Sequence, residues 1–117
     1  MPHVDHITLV TENKTTTNST WTRRGGALVD FDLYPATTAG KGLCIIRQTN
    51  GGTGYVRIYD KNNAVELGQT SFTSSAYTNV SIDLSSLPTS ELLSIQLQLK
   101  TNGTGQAECS AAVMELE

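Results

Sequence analysis

The chain has 117 residues and a mass of 12.6 kDa, enough for one domain and too little for a second with its own core. Hydrophobic residues make up 38% and charged residues only 16%; seventeen Thr, ten Ser, ten Gly and seven Asn fill the difference, so the surface is built from uncharged polar groups. A net charge of -3 with eight Lys and Arg residues scattered along the chain gives no footprint for nucleic acid or an anionic membrane, and no run nears the ~18 consecutive apolar residues of a membrane helix.

Apolar residues alternate with period two and nowhere recur at helical spacing for three turns, which predicts strands throughout. The first strand is expected over 4–11, with Ile7 and Leu9 on one face and Val10 on the other. Residues 12–20 have almost nothing to bury and read as a surface loop, or as an arm that orders against a neighbouring molecule. A strand over 27–34 places Ala27, Val29, Phe31 and Leu33 on one face and Asp30 and Asp32 on the other, and Pro35 ends it because proline cannot donate to a ladder. Strands over 43–49 and 55–60 flank the glycine-rich Asn50-Gly51-Gly52-Thr53-Gly54 and are expected to form a hairpin. Asn62-Asn63 fits a tight turn into a strand from Ala64 toward Phe72. A strand over 77–84 points Val80, Ile82 and Leu84 inward, and residues 85–91 have room for one helical turn beside Pro88. Leu93, Ile95, Leu97 and Leu99 make the strongest strand; Thr101-Asn102-Gly103-Thr104-Gly105 turns it back, and Ala107, Cys109, Ala111 and Val113 answer on the last. About eight antiparallel strands without helices predict an all-β, jelly-roll-like sandwich with Val29, Phe31, Leu33, Ile45, Val56, Ile58, Val80, Ile82, Ile95, Leu97 and Leu99 in its core.

Chemistry-bearing motifs are sparse. His3, Asp5 and His6 are close in sequence, but residues three apart on a strand point to opposite faces and no further histidine exists, so no metal is expected there. Asp30 and Asp32 lack the surrounding oxygens of a calcium loop, and Asp60, Asp83 and Glu66 read as ordinary surface acids. No G-x-S-x-G elbow occurs, and Gly51-Gly52-Thr53-Gly54 lacks the Lys-Ser/Thr pair of a phosphate loop. Neither a catalytic residue nor a cofactor is expected. Cys44 and Cys109 read as reduced, buried thiols. No basic-then-apolar signal opens the chain, so Met1 is read as its own initiator and the four sequons at Asn13, Asn18, Asn79 and Asn102 as compositional. Tyr55, Arg57 and Tyr59 share one strand face and form the candidate contact patch for a glycan or a protein; Trp21, Tyr34 and Tyr77 are the other large aromatics bearing polar atoms.

The succession Tyr55-Val56-Arg57-Ile58-Tyr59-Asp60, Glu66-Leu67-Gly68-Gln69-Thr70, Val80-Ser81-Ile82-Asp83-Leu84-Ser85-Ser86-Leu87-Pro88 and Ile95-Gln96-Leu97-Gln98-Leu99-Lys100, closed by Gly103-Thr104-Gly105 and an Ala-rich strand, resembles the jelly-roll modules of tailed-phage virion structural proteins. The resemblance covers about 27–117, leaving 1–26 as an N-terminal strand and polar arm that would act as a contact element. It implies a non-enzymatic virion protein of bacteriophage type, a homotrimer decorating a capsid and bound to the major capsid protein or another virion protein. The alternative it implies is a glycan-binding module of an adhesin or tail fibre. Nucleic acid and membrane are not expected partners.

Overall fold

Alternating side chains give each strand one face to bury, and two sheets close over a shared core. The computed structural model describes residues 5–34, 39–85, 87–88 and 91–116 and holds nine strands: β1 (Asp5–Val10), β2 (Lys14–Thr16), β3 (Thr22–Asp30), β4 (Gly40–Thr49), β5 (Gly54–Asp60), β6 (Val65–Phe72), β7 (Thr78–Leu84), β8 (Leu92–Thr101) and β9 (Gln106–Leu116). Sheet A runs β1-β9-β4-β7, with β2 pairing on β9 beside β1; sheet B runs β3-β8-β5-β6. Every pairing is antiparallel, and the fold is a jelly-roll-like β-sandwich. Leu93, Ile95, Leu97 and Leu99 of β8 are at most 2% exposed and line the core floor opposite Ile46, Ile82 and Met114 of sheet A.

The crossovers differ from the expected hairpins. β4 and β5 lie in different sheets, as do β8 and β9, so both glycine-rich segments are arches over the end of the sandwich. They pack side by side: Asn102 N donates to Thr53 O at 3.0 Å, and Thr53 N donates to Asn102 Oδ1 at 3.2 Å. A Cβ on Gly52 would collide with the Thr104 carbonyl, so glycine is needed for this close approach. The consecutive pair that does form a hairpin is β5–β6, whose turn is capped by Asp60: Oδ1 accepts from Asn62 N and Asn63 N, and Oδ2 from Asn63 Nδ2.

Two expected core positions, Leu33 and Ile45, and the phase of the last strand are corrected. The strand ends at Asp30, whose Oδ1 accepts from Asp32 N; a 3-10 turn over Phe31–Leu33 follows, burying Phe31 and turning Leu33 outward to 71% exposure. Asp30 and Asp32 therefore do not share a strand face. β4 faces the core with Gly40, Gly42, Cys44, Ile46 and Gln48, so Ile45 points outward. The opposite phase would turn Lys41 and Arg47 into the core, at the cost of burying two charges. On β9 an extra residue, Ser110, interrupts the register between Ile45↔Ala111 and Ile46↔Cys109. That bulge sends Ala112, Met114 and Leu116 inward and leaves Ala111 and Val113 on the outer face.

The polar run after β1 is part of the sandwich. Lys14–Thr16 pairs with β9 of the same chain, and Asn18 O accepts from Thr101 N at 2.8 Å. β3 passes through position 26 without a break, so the expected division between 26 and 27 falls inside a strand. The expected stop at Pro35, residues 1–4 with His3, and residues 86, 89 and 90 of the expected 85–91 turn fall outside the described residues.

Candidate functional site

The outer face of sheet B is built by the outward phases of β5 and β8. On β5, Val56 and Ile58 are fully buried, so Tyr55, Arg57 and Tyr59 must all point away from the core. The register places Lys100, Gln98 and Gln96 of β8 directly across from them, and β6 supplies Ser71, Gln69 and Glu66 on the other side. Trp21, just before β3, reaches over the same face.

Together these side chains form a row in which rings and cations alternate: Tyr55, Lys100, Trp21, Arg57, Tyr59. Arg57 Cζ lies 4.5 Å from the Trp21 ring centre and 4.2 Å from that of Tyr59; Lys100 Nζ lies 4.7 Å from Trp21 and 5.2 Å from Tyr55. Each such contact contributes about 0.5–1 kcal/mol at a solvated site, so the row holds its own geometry. Hydrogen bonds tie it to the sheet: Arg57 Nε donates to Gln98 Oε1 at 2.7 Å, Gln98 Nε2 to Gln96 Oε1 at 2.9 Å, and Gln69 Nε2 to Glu66 Oε2 at 3.1 Å. Arg57 Nη1 also approaches Glu66 Oε1 at 3.5 Å. Gln96 and Gln98 are only 7% and 8% exposed and form the floor; Gly26, opposite Gln96 on β3, adds no side chain there. The result is a fixed surface of rings, amides, one carboxylate and cationic heads.

The expected patch of Tyr55, Arg57 and Tyr59 is thus one continuous face. Lys100, Gln96 and Gln98 were not expected in it. The signal for them was the outward phase of β8, Gln96-x-Gln98-x-Lys100, which becomes informative once β8 is known to neighbour β5. The other candidates lie elsewhere. His6 Nε2 stands 3.0 Å from Glu115 Oε2 at the β1 edge of sheet A, Asp60 caps its turn, and Asp83 is exposed on β7. No group of three or more His, Cys, Asp or Glu side chains able to hold a metal ion converges among the described residues. Cys44 and Cys109 are free and buried; their mutual hydrogen bond, together with burial, pushes the Cys44 thiol up, and it stays protonated.

The outer face of sheet A has a different character. Leu43, Ile45, Ala111 and Val113 line a shallow apolar trough of about 430 Å³, bordered by Asn79 and Ser81. A polar cluster closes one end: Arg47 Nε donates to Glu108 Oε2 at 2.8 Å, Asn13 Nδ2 to Glu108 Oε1 at 3.2 Å, and Tyr77 Oη to Asn13 Oδ1 at 3.0 Å. Arg47 also stacks 4.4 Å from the Tyr77 ring centre. Its hydrogen bond holds the Glu108 carboxyl below the usual carboxylate range against the opposing pull of burial.

The class this architecture defines is the jelly-roll β-sandwich module. No family model and no curated protein matches the chain. Among solved structures it is similar to a xylan-binding module CBM15, with TM-score 0.59 and 8% identity over 97% of this chain and 96% of that one. It is also similar to the CBM36-1 domain of a multidomain xylanase from the hindgut metagenome of Trinervitermes trinervoides, with TM-score 0.58 and 8% identity over 98% and 97%. A third similar structure is the VP2 subviral particle of infectious bursal disease virus, with TM-score 0.59 and 14% identity over 97% of this chain. Only 32% of the VP2 chain is covered. At such identities the likeness is one of fold, shared by carbohydrate-binding modules and a viral capsid protein alike.

Proposed function

We propose that the chain is a non-catalytic carbohydrate-binding module that takes its ligand across the outer face of sheet B. The observation that carries this reading is the fixed row of Trp21, Tyr55 and Tyr59 with Arg57 and Lys100 between them. Aromatic rings offer flat apolar surface to the C–H faces of sugar rings, while Gln96, Gln98, Gln69 and Glu66 offer donors and acceptors to hydroxyl groups. Because the rings are held by the cations between them, little side-chain freedom is lost on binding. Likeness over nearly the whole of two carbohydrate-binding modules supports sugar as the ligand class. On a glycan array the wild type gives hits, and Tyr55→Ala/Tyr59→Ala loses them while its far-UV circular dichroism stays that of a β-protein. A blank array for the wild type sinks the reading.

A second reading is supported by the apolar trough on sheet A and the likeness to VP2: a structural subunit of a viral shell, in the capsid-decoration role implied by the phage-module resemblance and self-associating as a trimer. Protein of this kind sediments with undecorated shells in fixed stoichiometry, and Ile45→Lys in the trough abolishes the uptake. A monomer that stays in the supernatant removes this reading.

A further inference from the structure

The binding face carries a charge imbalance that runs against the chain as a whole. Net charge is -3, yet of the eight Lys and Arg residues Arg57 and Lys100 stand in the aromatic row and Lys14, Arg23 and Arg24 line the cleft at the adjoining β3 edge. Arg23 lies across from Gln98 on β3, so Arg23 and Arg57 flank that glutamine from the two neighbouring strands, with backbones about 10 Å apart at ordinary strand spacing. Lys100 is two residues along from Gln98 on the same face. Arg24 and Lys14 continue the run around the β3 edge, where they line a polar cleft of about 470 Å³ with Arg23, Glu12 and the backbone of Gly25 and Gly26.

Little on this side neutralises those cations. Glu66 meets Arg57 at 3.5 Å and Glu12 meets Lys14 at 3.0 Å, but among the described residues no carboxylate pairs with Arg23 or Lys100. Asp30, at the far end of β3, is engaged with Asp32 N. Around Gln98 three cationic residues, Arg57 and Lys100 in the row and Arg23 in register beside them on β3, therefore stand against one carboxylate, that of Glu66, beside rings suited to a sugar. Arg57 and Lys100 order the rings for any sugar, but a neutral one would leave their net positive charge, and that of Arg23, uncompensated.

Resting on the carbohydrate-binding reading above, we infer that the ligand is an acidic glycan, one of whose carboxylate or sulfate groups sits among Arg23, Arg57 and Lys100. Guanidinium forks suit either anion through paired N–H donors, and the ammonium of Lys100 adds a point charge. The weakly acidic chain as a whole and the carboxylate of Glu66 within the row favour a glycan of moderate charge over a polyphosphate.

Affinity electrophoresis or titration calorimetry of the full chain tests this with four probes: an uncharged xylo-oligosaccharide, an oligogalacturonate, a sulfated heparin-derived oligosaccharide and a single-stranded oligonucleotide. An acidic sugar should bind about tenfold or more tighter than the uncharged one, and the galacturonate and sulfated arms identify which anion is preferred. That preference shrinks between about 50 mM and about 500 mM salt, and substitution of the exposed Arg23 and the half-buried Lys100, Arg23→Gln and Lys100→Gln, removes most of it. Arg23→Gln keeps the wild-type melting profile, and Lys100→Gln, which gives up its contacts with Trp21 and Tyr55, still melts in one cooperative transition. If the uncharged sugar binds as tightly and without salt dependence, the inference fails and the carbohydrate-binding reading stands. If no sugar binds, both fail; tightest binding to the oligonucleotide overturns both in favour of a nucleic-acid surface.

Discussion

On the outer face of sheet B, the rings of Trp21, Tyr55 and Tyr59 are interleaved with Arg57 and Lys100 and anchored to Gln96, Gln98 and Glu66. Across the core, the outer face of sheet A presents Leu43, Ile45, Ala111 and Val113 in a trough with few polar groups. Both faces arise from the same period-two alternation, with the core taking the opposite phase of each strand. They differ in what water does to them. Sheet B keeps its polar heads solvated and its rings stacked, a surface suited to a hydroxyl-rich ligand. Sheet A leaves apolar atoms in contact with water, which only a dry partner could relieve.

The largest test of how these faces are supported is removal of residues 1–16. Leu9 and Val10, 5% and 4% exposed, pack into the core from β1, and β1 with β2 covers the whole outer edge of β9. Without them sheet A has an open central edge, and the variant should show no cooperative thermal transition. A soluble, cooperatively melting truncation would mean that sheet A does not need its N-terminal edge.

Next in size is Glu108→Ala, which leaves Arg47 and Asn13 without their acceptor at the end of the trough. Chemical denaturation should show a loss of no more than about 1 kcal/mol, because water can replace the lost acceptor at the exposed Asn13 and the half-exposed Arg47. The same carboxyl adds a pH dependence. Because its folded pKa is depressed, its contribution is complete above the unfolded value of about 4.3 and is lost as pH falls through the lower folded value. Wild type should therefore lose stability more steeply than Glu108→Gln between about pH 5 and about pH 2; parallel curves would remove Glu108 as the linked group. The smallest effect belongs to Ile45→Ser, at 37% exposure, which should change stability by no more than about 0.5 kcal/mol. A larger loss would show that the trough is part of the core.

The class of fold was legible because alternation is a local signal: β8 and β7 lie in the phase that Leu93–Leu99 and Val80–Leu84 predict. Phase and pairing were less legible where a neighbour decides them. Hydropathy points Ile45 inward, but it shares its phase with Lys41 and Arg47, and the cost of burying those two charges sets β4 the other way. Ala111 and Val113 followed the outward side once Ser110 bulged. The residues misplaced for these two reasons are the ones that make the trough. Likewise, two glycine-rich segments looked like hairpin turns, since a glycine suits a tight turn and a crowded arch equally well. In the site, Tyr55, Arg57 and Tyr59 could be grouped from one strand, whereas Trp21 and Lys100 join them only through the pairing of β5 and β3 on either side of β8.

The central claim, that sheet B rather than sheet A is the ligand face, is tested most directly by probing one glycan array with wild type, Trp21→Ala and Ile45→Ser. Trp21 holds both cations of the row, so its loss should weaken every hit by about tenfold or more, a scale set by loss of an aromatic anchor. Ile45→Ser should reproduce the wild-type pattern. Hits that survive Trp21→Ala but vanish in Ile45→Ser would contradict the account and move the ligand to the apolar trough.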